Sequence, residues 1–282
     1  MRLRWDWLEP VVLAPYVPTL GPVAPGVLTA GLFDDVVAVS GTGRFLPYDK
    51  DQRWSDRKDE HVLAGEITCT PAATVIPTLS TLRGGLVKIC HYGAGRPDLD
   101  ALAEHGRSLC ARYGAARHRI TWCQQDPGGA KGRLMLKTFT SRDNQEQGPV
   151  LDLASCPQAA TFPDFAQHAG QDGFAFLHQR MKAGHDDGPI LVTVDDGQIV
   201  GAVGPLAILP DRNGVRVQPP QYFAVHPGYR GRGHGRALWR ASMAWGAANG
   251  AEYKVLQASS GSPAERLYLS EGLQTLGFIC TA

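Results

Sequence analysis

Gln221-Tyr222-Phe223-Ala224-Val225-His226-Pro227-Gly228-Tyr229-Arg230-Gly231-Arg232-Gly233-His234-Gly235-Arg236-Ala237-Leu238 is the stretch on which the reading of this chain turns. An apolar strand runs into a glycine-rich turn, and the turn opens a helix. Gly231, Gly233 and Gly235 let the backbone turn tightly and approach a ligand closely. The N–H groups of such a turn, with the positive end of the helix dipole, form an anion site. Arg230, Arg232 and Arg236 add positive charge around it. A pyrophosphate is the natural occupant. Two other phosphate binders do not fit. A dinucleotide unit needs G-x-G-x-x-G after the first strand of a parallel sheet, and a P-loop needs a Gly-Lys-Ser/Thr ending.

On either side of this stretch the pattern is that of a mixed α/β domain. Upstream, residues 150–153 read as a strand, 171–183 as a helix with Phe174, Leu177 and Met181 on one face, and 189–194 and 198–209 as apolar strands. Asp195-Asp196-Gly197 between the last two is a hairpin signal. Asp211-Arg212-Asn213-Gly214 is another turn, leading into a strand over 215–225. Downstream, 235–248 reads as a helix, 253–258 as a strand, 264–271 as a helix and 274–280 as a last strand.

Two motifs carry a family resemblance. Arg230-Gly231-Arg232-Gly233-His234-Gly235 fits a Q/R-x-x-G-x-G/A pattern, preceded by Val225-His226-Pro227-x-Tyr229-Arg230-Gly231. Ala264-Glu265-Arg266-Leu267-Tyr268-Leu269-Ser270-Glu271-Gly272-Leu273 fits A-x-x-L-Y-x-x-x-G-F, with Leu273 in place of Phe. In these the C-terminal half, about residues 149–282, resembles the GNAT superfamily of N-acetyltransferases. The resemblance implies a mixed sheet flanked by helices, with splayed central strands, and acetyl-CoA as cosubstrate. Its pyrophosphate would lie on Arg230, Gly231, Arg232, Gly233, His234, Gly235 and Arg236. Its pantetheine arm would run along Phe223, Ala224 and Val225, and a backbone N–H near Val225 would polarise the acetyl oxygen. Tyr268 matches the tyrosine that protonates the leaving thiolate in the family. It is also readable as a core aromatic.

The general base is less legible. An amine is mostly protonated near neutral pH and must lose a proton before it attacks. The residues before the motif, Val215 to Phe223, contain no acid. His226 is one candidate, although a histidine there also reads as a turn cap. The terminal carboxylate of Ala282 is another. Relatives carry one more strand after the position of Cys280, and its lack would leave an unpaired edge, which the N-terminal half is expected to cover. The reaction implied is direct attack of a primary amine of a small molecule, such as an antibiotic, an amino acid or a polyamine, on acetyl-CoA. The alternatives are a non-catalytic acyl-CoA-binding or regulatory module, a longer acyl donor, and transfer to a hydroxyl.

The bulk numbers are compatible with this. Of 282 residues, 43% are hydrophobic, and 28 basic residues face 27 acidic ones. The chain therefore gives no global reason to expect nucleic acid or a membrane as partner. The start, Met1-Arg2-Leu3-Arg4-Trp5-Asp6-Trp7-Leu8-Glu9-Pro10, does not read as a signal peptide, and no apolar run is long enough to span a bilayer. Six scattered cysteines without a C-x-x-C pair point to a reduced, cytoplasmic protein with no metal site. His185-Asp186-Asp187 reads as a solvated turn. The oligomeric state, monomer or homodimer, is not legible.

The N-terminal half resists reading. Residues 33–39 and 65–69 look like strands, and 48–61 like a charged loop. Order improves with a strand at 86–91, a loop at 93–97, a helix from a cap at Asp98 to Tyr113, Gly114 ending it, and strands at 119–123 and 132–140. Residues 141–149 read as a linker between domains at 1–140 and 150–282. The strand–loop–helix–strand run from His91 parallels the one from His226, which suggests a degenerate acetyltransferase-like domain in tandem with the second. A chance β-α-β similarity is the other reading. Gly93-Ala94-Gly95-Arg96-Pro97 lacks the motif order, and Pro97 removes an amide donor, so acetyl-CoA is not expected there.

Overall fold

The computed structural model describes residues 16–50, 52, 59–81, 84–93, 95–140, 143 and 149–282. The opening stretch 1–10, most of the expected linker at 141–149, the middle of the expected charged loop at 48–61, and Ala94 lie outside the described residues. The chain forms two compact units. One comprises Met1–Leu136 and Val255–Ala282, the other Lys137–Lys254.

The first unit opens with β1 (Tyr16–Val17), β2 (Gly21–Pro22) and helix α1 (Ala30–Val39). The strand expected at 33–39 is thus a helix. Thr29 accepts a capping bond from Leu32 N at 3.3 Å, and Leu32, Phe33 and Val36 are buried at helical, not alternating, spacing. β3 (His61–Val62) and β4 (Thr68–Cys69) follow, so that only the end of the strand expected at 65–69 is extended. β5 (Ala73–Ser80) was not anticipated. β6 (Leu86–Gly93), α2 (Leu99–Tyr113), β7 (Arg117–Gln124) and β8 (Gly132–Thr138) match the expected elements to within a few residues. Asp98 caps α2 through Ala101 N at 3.1 Å, and Gly114 ends it in the left-handed region at φ 67°. β5 pairs antiparallel with β6, and β6 parallel with β7. Leu109 and partly buried Leu99 and Leu102 of α2 pack with Val87, Ile89 and Ile120 of β6 and β7.

The second unit holds β9 (Val150–Asp152), α3 (Phe162–His168), α4 (Phe174–Lys182), β10 (Leu191–Asp195), β11 (Gln198–Gly204), β12 (Leu209–Pro210), β13 (Arg216–Val217), β14 (Tyr222–Val225) and α5 (His234–Ala248). β9, β10, β11 and β14 form an antiparallel sheet in the order β14-β11-β10-β9. The strand expected at 198–209 is cut by Pro205 and that at 215–225 by Pro219-Pro220, because proline has no N–H to offer a ladder. The hairpin at Asp195-Asp196-Gly197 is as expected, with φ 49° at Asp196 and 73° at Gly197. Side chains alternate across the sheet. Val192, Ile199, Ala202 and Ala224 pack with Phe162, Phe165, Phe174 and Leu177 of α3 and α4. Leu191, Val203, Phe223 and Val225 pack with Leu238 and Trp245 of α5 on the other face. Gly201 permits that approach, since a Cβ there would meet Leu238 Cδ1 at 2.9 Å.

β15 (Tyr253–Ser259) carries the chain back to the first unit, which α6 (Pro263–Ser270) and β16 (Gln274–Thr281) complete. β16 lies between β7 and β8 and pairs antiparallel with both. The expected cover for the last strand is therefore supplied by strands of the N-terminal half.

Candidate functional site

β14 is an outer strand of its sheet, hydrogen-bonded to β11 along one edge. His226 N donates to Val200 O at 2.8 Å. Because successive strand N–H groups alternate in direction, those of Phe223 and Val225 point away from β11, toward the open edge. A tight turn over Pro227–Tyr229 then leads to Arg230 and the glycines. Gly231 and Gly233 stand at φ 83° and 95°, a region side chains rarely enter. A Cβ at either would meet nothing within 4 Å. α5 starts immediately after Gly233, with no side-chain cap and no acid in its first turn. The N–H groups of a helix's first turn have no partner within the helix itself. This arrangement fits a pyrophosphate: open space, uncapped amides, and a strand edge leading up to them.

The loop is held from one side by the hairpin, in contacts that the sequence alone did not show. Asp195 Oδ2 lies 3.2 Å from both Arg232 Nη1 and His234 Nε2. The bond from His234, then that from Arg232, hold the Asp195 carboxyl below its ordinary range. Tyr229 donates to Asp196 Oδ2 at 3.2 Å and accepts from Gln198 Nε2 at 2.7 Å, while the Arg232 guanidinium sits 4.8 Å over the Tyr229 ring. Asp195-Asp196-Gly197 was legible only as a turn. His226 caps the loop's own turn: its Nδ1 accepts from Gly228 N at 3.2 Å. With Nδ1 accepting, Nε2 carries the proton of the neutral ring. The ring of His168 lies edge-on to it, with centroids 5.1 Å apart.

Phe223, Ala224, Val225, His226 and Arg230 to Arg236 are thus gathered in the second unit. Tyr268 belongs to the first. It is 9% exposed, and burial pushes its hydroxyl up to about 12, so it carries its proton at neutral pH. Its helix α6 is capped by Ser262, which accepts from Glu265 N at 3.1 Å. The buried Glu265 pairs with Arg133 at 2.6 Å. Ala282 exchanges two backbone bonds with Ile120, at 2.9 and 3.1 Å. His185-Asp186-Asp187 is a turn in which Asp186 accepts from Gly188 N and Asp187 pairs with Arg180.

A buried polar cluster beside β14 went unnoticed in the sequence. Lys254 is 1% exposed and donates to Pro219 O at 2.8 Å and to Gln221 Oε1. Burial lowers its amine to about 7. Its signal was present: a lysine at the same strand parity as the buried Leu256 and Ala258.

Residues 152–272 match the Acetyltransferase (GNAT) family. This part of the chain belongs to that family. A mycothiol acetyltransferase of Streptomyces griseus is 34% identical over 149 residues, 52% of this chain and 43% of that protein. The match thus spans less than half the length of this curated relative. Among solved structures, a GCN5-related N-acetyltransferase from Sphaerobacter thermophilus superposes with a TM-score of 0.46 at 14% identity, covering 77% of this chain and 81% of that one. A tandem GNAT protein from the clavulanic acid biosynthesis pathway gives 0.44 at 14% identity, over 75% and 78%. The GNAT family uses acetyl-CoA. Among the described residues, no helix is long and apolar enough to cross a membrane.

Proposed function

We propose that residues 150–282 carry an acetyl-CoA-dependent N-acetyltransferase acting on the primary amine of a small molecule. The observation that carries this reading is the sequence of an open strand edge, a positive-φ glycine turn and an uncapped helix N-terminus, in register with the family's own motif. The pyrophosphate would rest on the amides of Arg230 to Gly235 and the first turn of α5, and the pantetheine amides would pair with the open edge of β14. The Val225 N–H is the donor aimed where an oxyanion would form, and a fixed donor needs no reorganisation as charge develops. The neutral amine attacks the thioester carbonyl carbon, the nitrogen gives up a proton to solvent, the C–S bond breaks, and the thiolate leaves with a proton from a donor that solvent reprotonates. The motif match assigns that proton to Tyr268. Because its Nδ1 is committed to Gly228, His226 is read as the loop's cap and not as the base.

The N-terminal half is read as an acetyltransferase-like domain without a cofactor. β6 and β7 are hydrogen-bonded from Leu86↔Arg117 to His91↔Trp122, which leaves no gap between them for a pantetheine arm.

Isothermal titration with acetyl-CoA, of the wild type and of Gly233→Trp, tests the site. One site, lost in the variant, supports it; two sites would contradict the reading of the N-terminal half. A screen of amines, beginning with mycothiol-related ones in view of the Streptomyces griseus relative's name, then follows CoA release. Tight binding with no amine-dependent release would make the domain an acyl-CoA-binding module.

A further inference from the structure

We propose that Lys254 is a positioning residue that sets the open edge of β14 against helix α5, and so fixes the spacing between the acyl end and the phosphate end of a bound acyl-CoA. The inference rests on the acyl-CoA reading above.

The segment that enters β14 reads Gln218-Pro219-Pro220-Gln221. Gln218 N donates to Tyr253 O at 3.1 Å, but the two prolines that follow offer no N–H, so the backbone ladder stops there. β14 itself has only four residues, paired on one edge. Side chains take over. Lys254 Nζ donates to Pro219 O and to the Gln221 side-chain carbonyl. Gln221 Nε2 donates to Ser242 Oγ at 3.0 Å, and Gln218 Nε2 donates to Ser242 Oγ and O at 3.0 and 3.2 Å. Ser242 is fully buried and lies on α5, the helix whose N-terminus follows the glycine loop. Gly246, one turn further, lets the helix come close, since a Cβ there would meet Gln218 Oε1 at 2.7 Å.

The chain from β14 through the loop to α5 is therefore clamped at both ends. The loop joins the strand's end to the helix's start, and the lysine network joins the strand's entry to the helix's middle. An ammonium group buried against carbonyl acceptors alone is costly. A methionine would fill the same buried position without that charge, but has no donor for Pro219 O or the Gln221 carbonyl. The two ligand-binding features lie on opposite members of this clamp, amides on α5 and N–H groups on β14. A misplacement of about 1 Å between such features is enough to cost on the order of a hundredfold in rate.

The test compares two probes on the full chain: acetyl-CoA, which would span both features, and adenosine 3′,5′-bisphosphate, which lacks the pantetheine and acyl parts. In Lys254→Met, acetyl-CoA affinity is expected to fall about tenfold or more while that for the bisphosphate changes less than about twofold, because only ordering along β14 is lost. Ser242→Ala, which removes the hub of the same network without touching the lysine, is expected to show the same split and serves where Lys254→Met does not fold. A purely structural role would lower the melting temperature and leave both affinities of the folded fraction unchanged, or weaken both equally. Either result overturns the inference while wild-type binding still upholds the acyl-CoA reading. A wild-type protein that binds neither probe overturns both.

Discussion

Asp195 shows how one carboxylate can work in two directions. It tethers the glycine loop through Arg232 and His234, yet it places negative charge beside the proposed anion site. Its carboxyl is held below the usual range, so the tether is present above the ordinary carboxylate pKa and is lost as pH falls through the lower, folded value. Asp195→Asn should abolish that acid-side loss of loop order, as followed by amide exchange in Arg230 to Gly235. The same change frees Arg232 and removes a repelling charge. Acetyl-CoA is then expected to bind about two- to tenfold tighter at low salt, with the gain gone near 1 M salt, where screening shortens to about 3 Å. Weaker binding at all salt concentrations would mean that the tether's geometry outweighs its charge. Tyr268→Phe tests the proposed donor separately. A proton donor contributes about a hundredfold or more to turnover, so turnover should fall with acetyl-CoA affinity unchanged.

Lys254 also makes a strand measurable. In the folded chain its amine titrates near 7, in the unfolded chain near 10.5. Between those values the unfolded state holds a proton that the native state has released, so stability should rise with pH across that window. Urea unfolding from pH 7 to 10 should show this slope in the wild type and a flatter one in Lys254→Met. A more ordinary element test lies at Asp98, whose replacement by Ala should cost about 1 kcal/mol through loss of the α2 cap. The sequence announced that helix because its cap, its apolar face and its terminal glycine agree. It misread α1, whose short apolar run satisfies either period until Thr29 caps it. It was silent on β5, where Pro77 argues against a strand. Pro77 is tolerated because β4 pairs with Thr74 and Val75 and β3 with Thr78 and Leu79, so the proline falls between the two short partners. The glycine loop was legible because strand, turn and helix are contiguous. The contacts that hold it were not, since Asp195 and Lys254 meet their partners only through tertiary packing.

β16 decides what counts as a folding unit in this molecule. Its residues Phe278 to Thr281 pair with Gln124 to Thr121 of β7, and Gln274 to Ile279 with Leu136 to Gly132 of β8. The chain's last strand thus fills the slot between two strands laid down more than a hundred residues earlier, and Cys280 joins the core cluster of Ile120 and Trp122 on β7. Without it, β7 and β8 would each present an unpaired edge, and such edges are templates for association. Backbone pairs of this kind stabilise by about 0.5–1.5 kcal/mol each, and single domains hold only about 5–15 kcal/mol in total. Removing a strand paired on both sides therefore takes away a sum comparable with the whole. A chain cut at the proposed linker, ending at residue 149, is expected to be unfolded or aggregated, with no cooperative urea transition. Adding residues 255–282 in trans should restore protection of the β7 amides against hydrogen exchange. If instead the fragment 1–149 unfolds cooperatively by itself, the N-terminal half closes its own sheet, and the strand between β7 and β8 is an addition to it and not its completion.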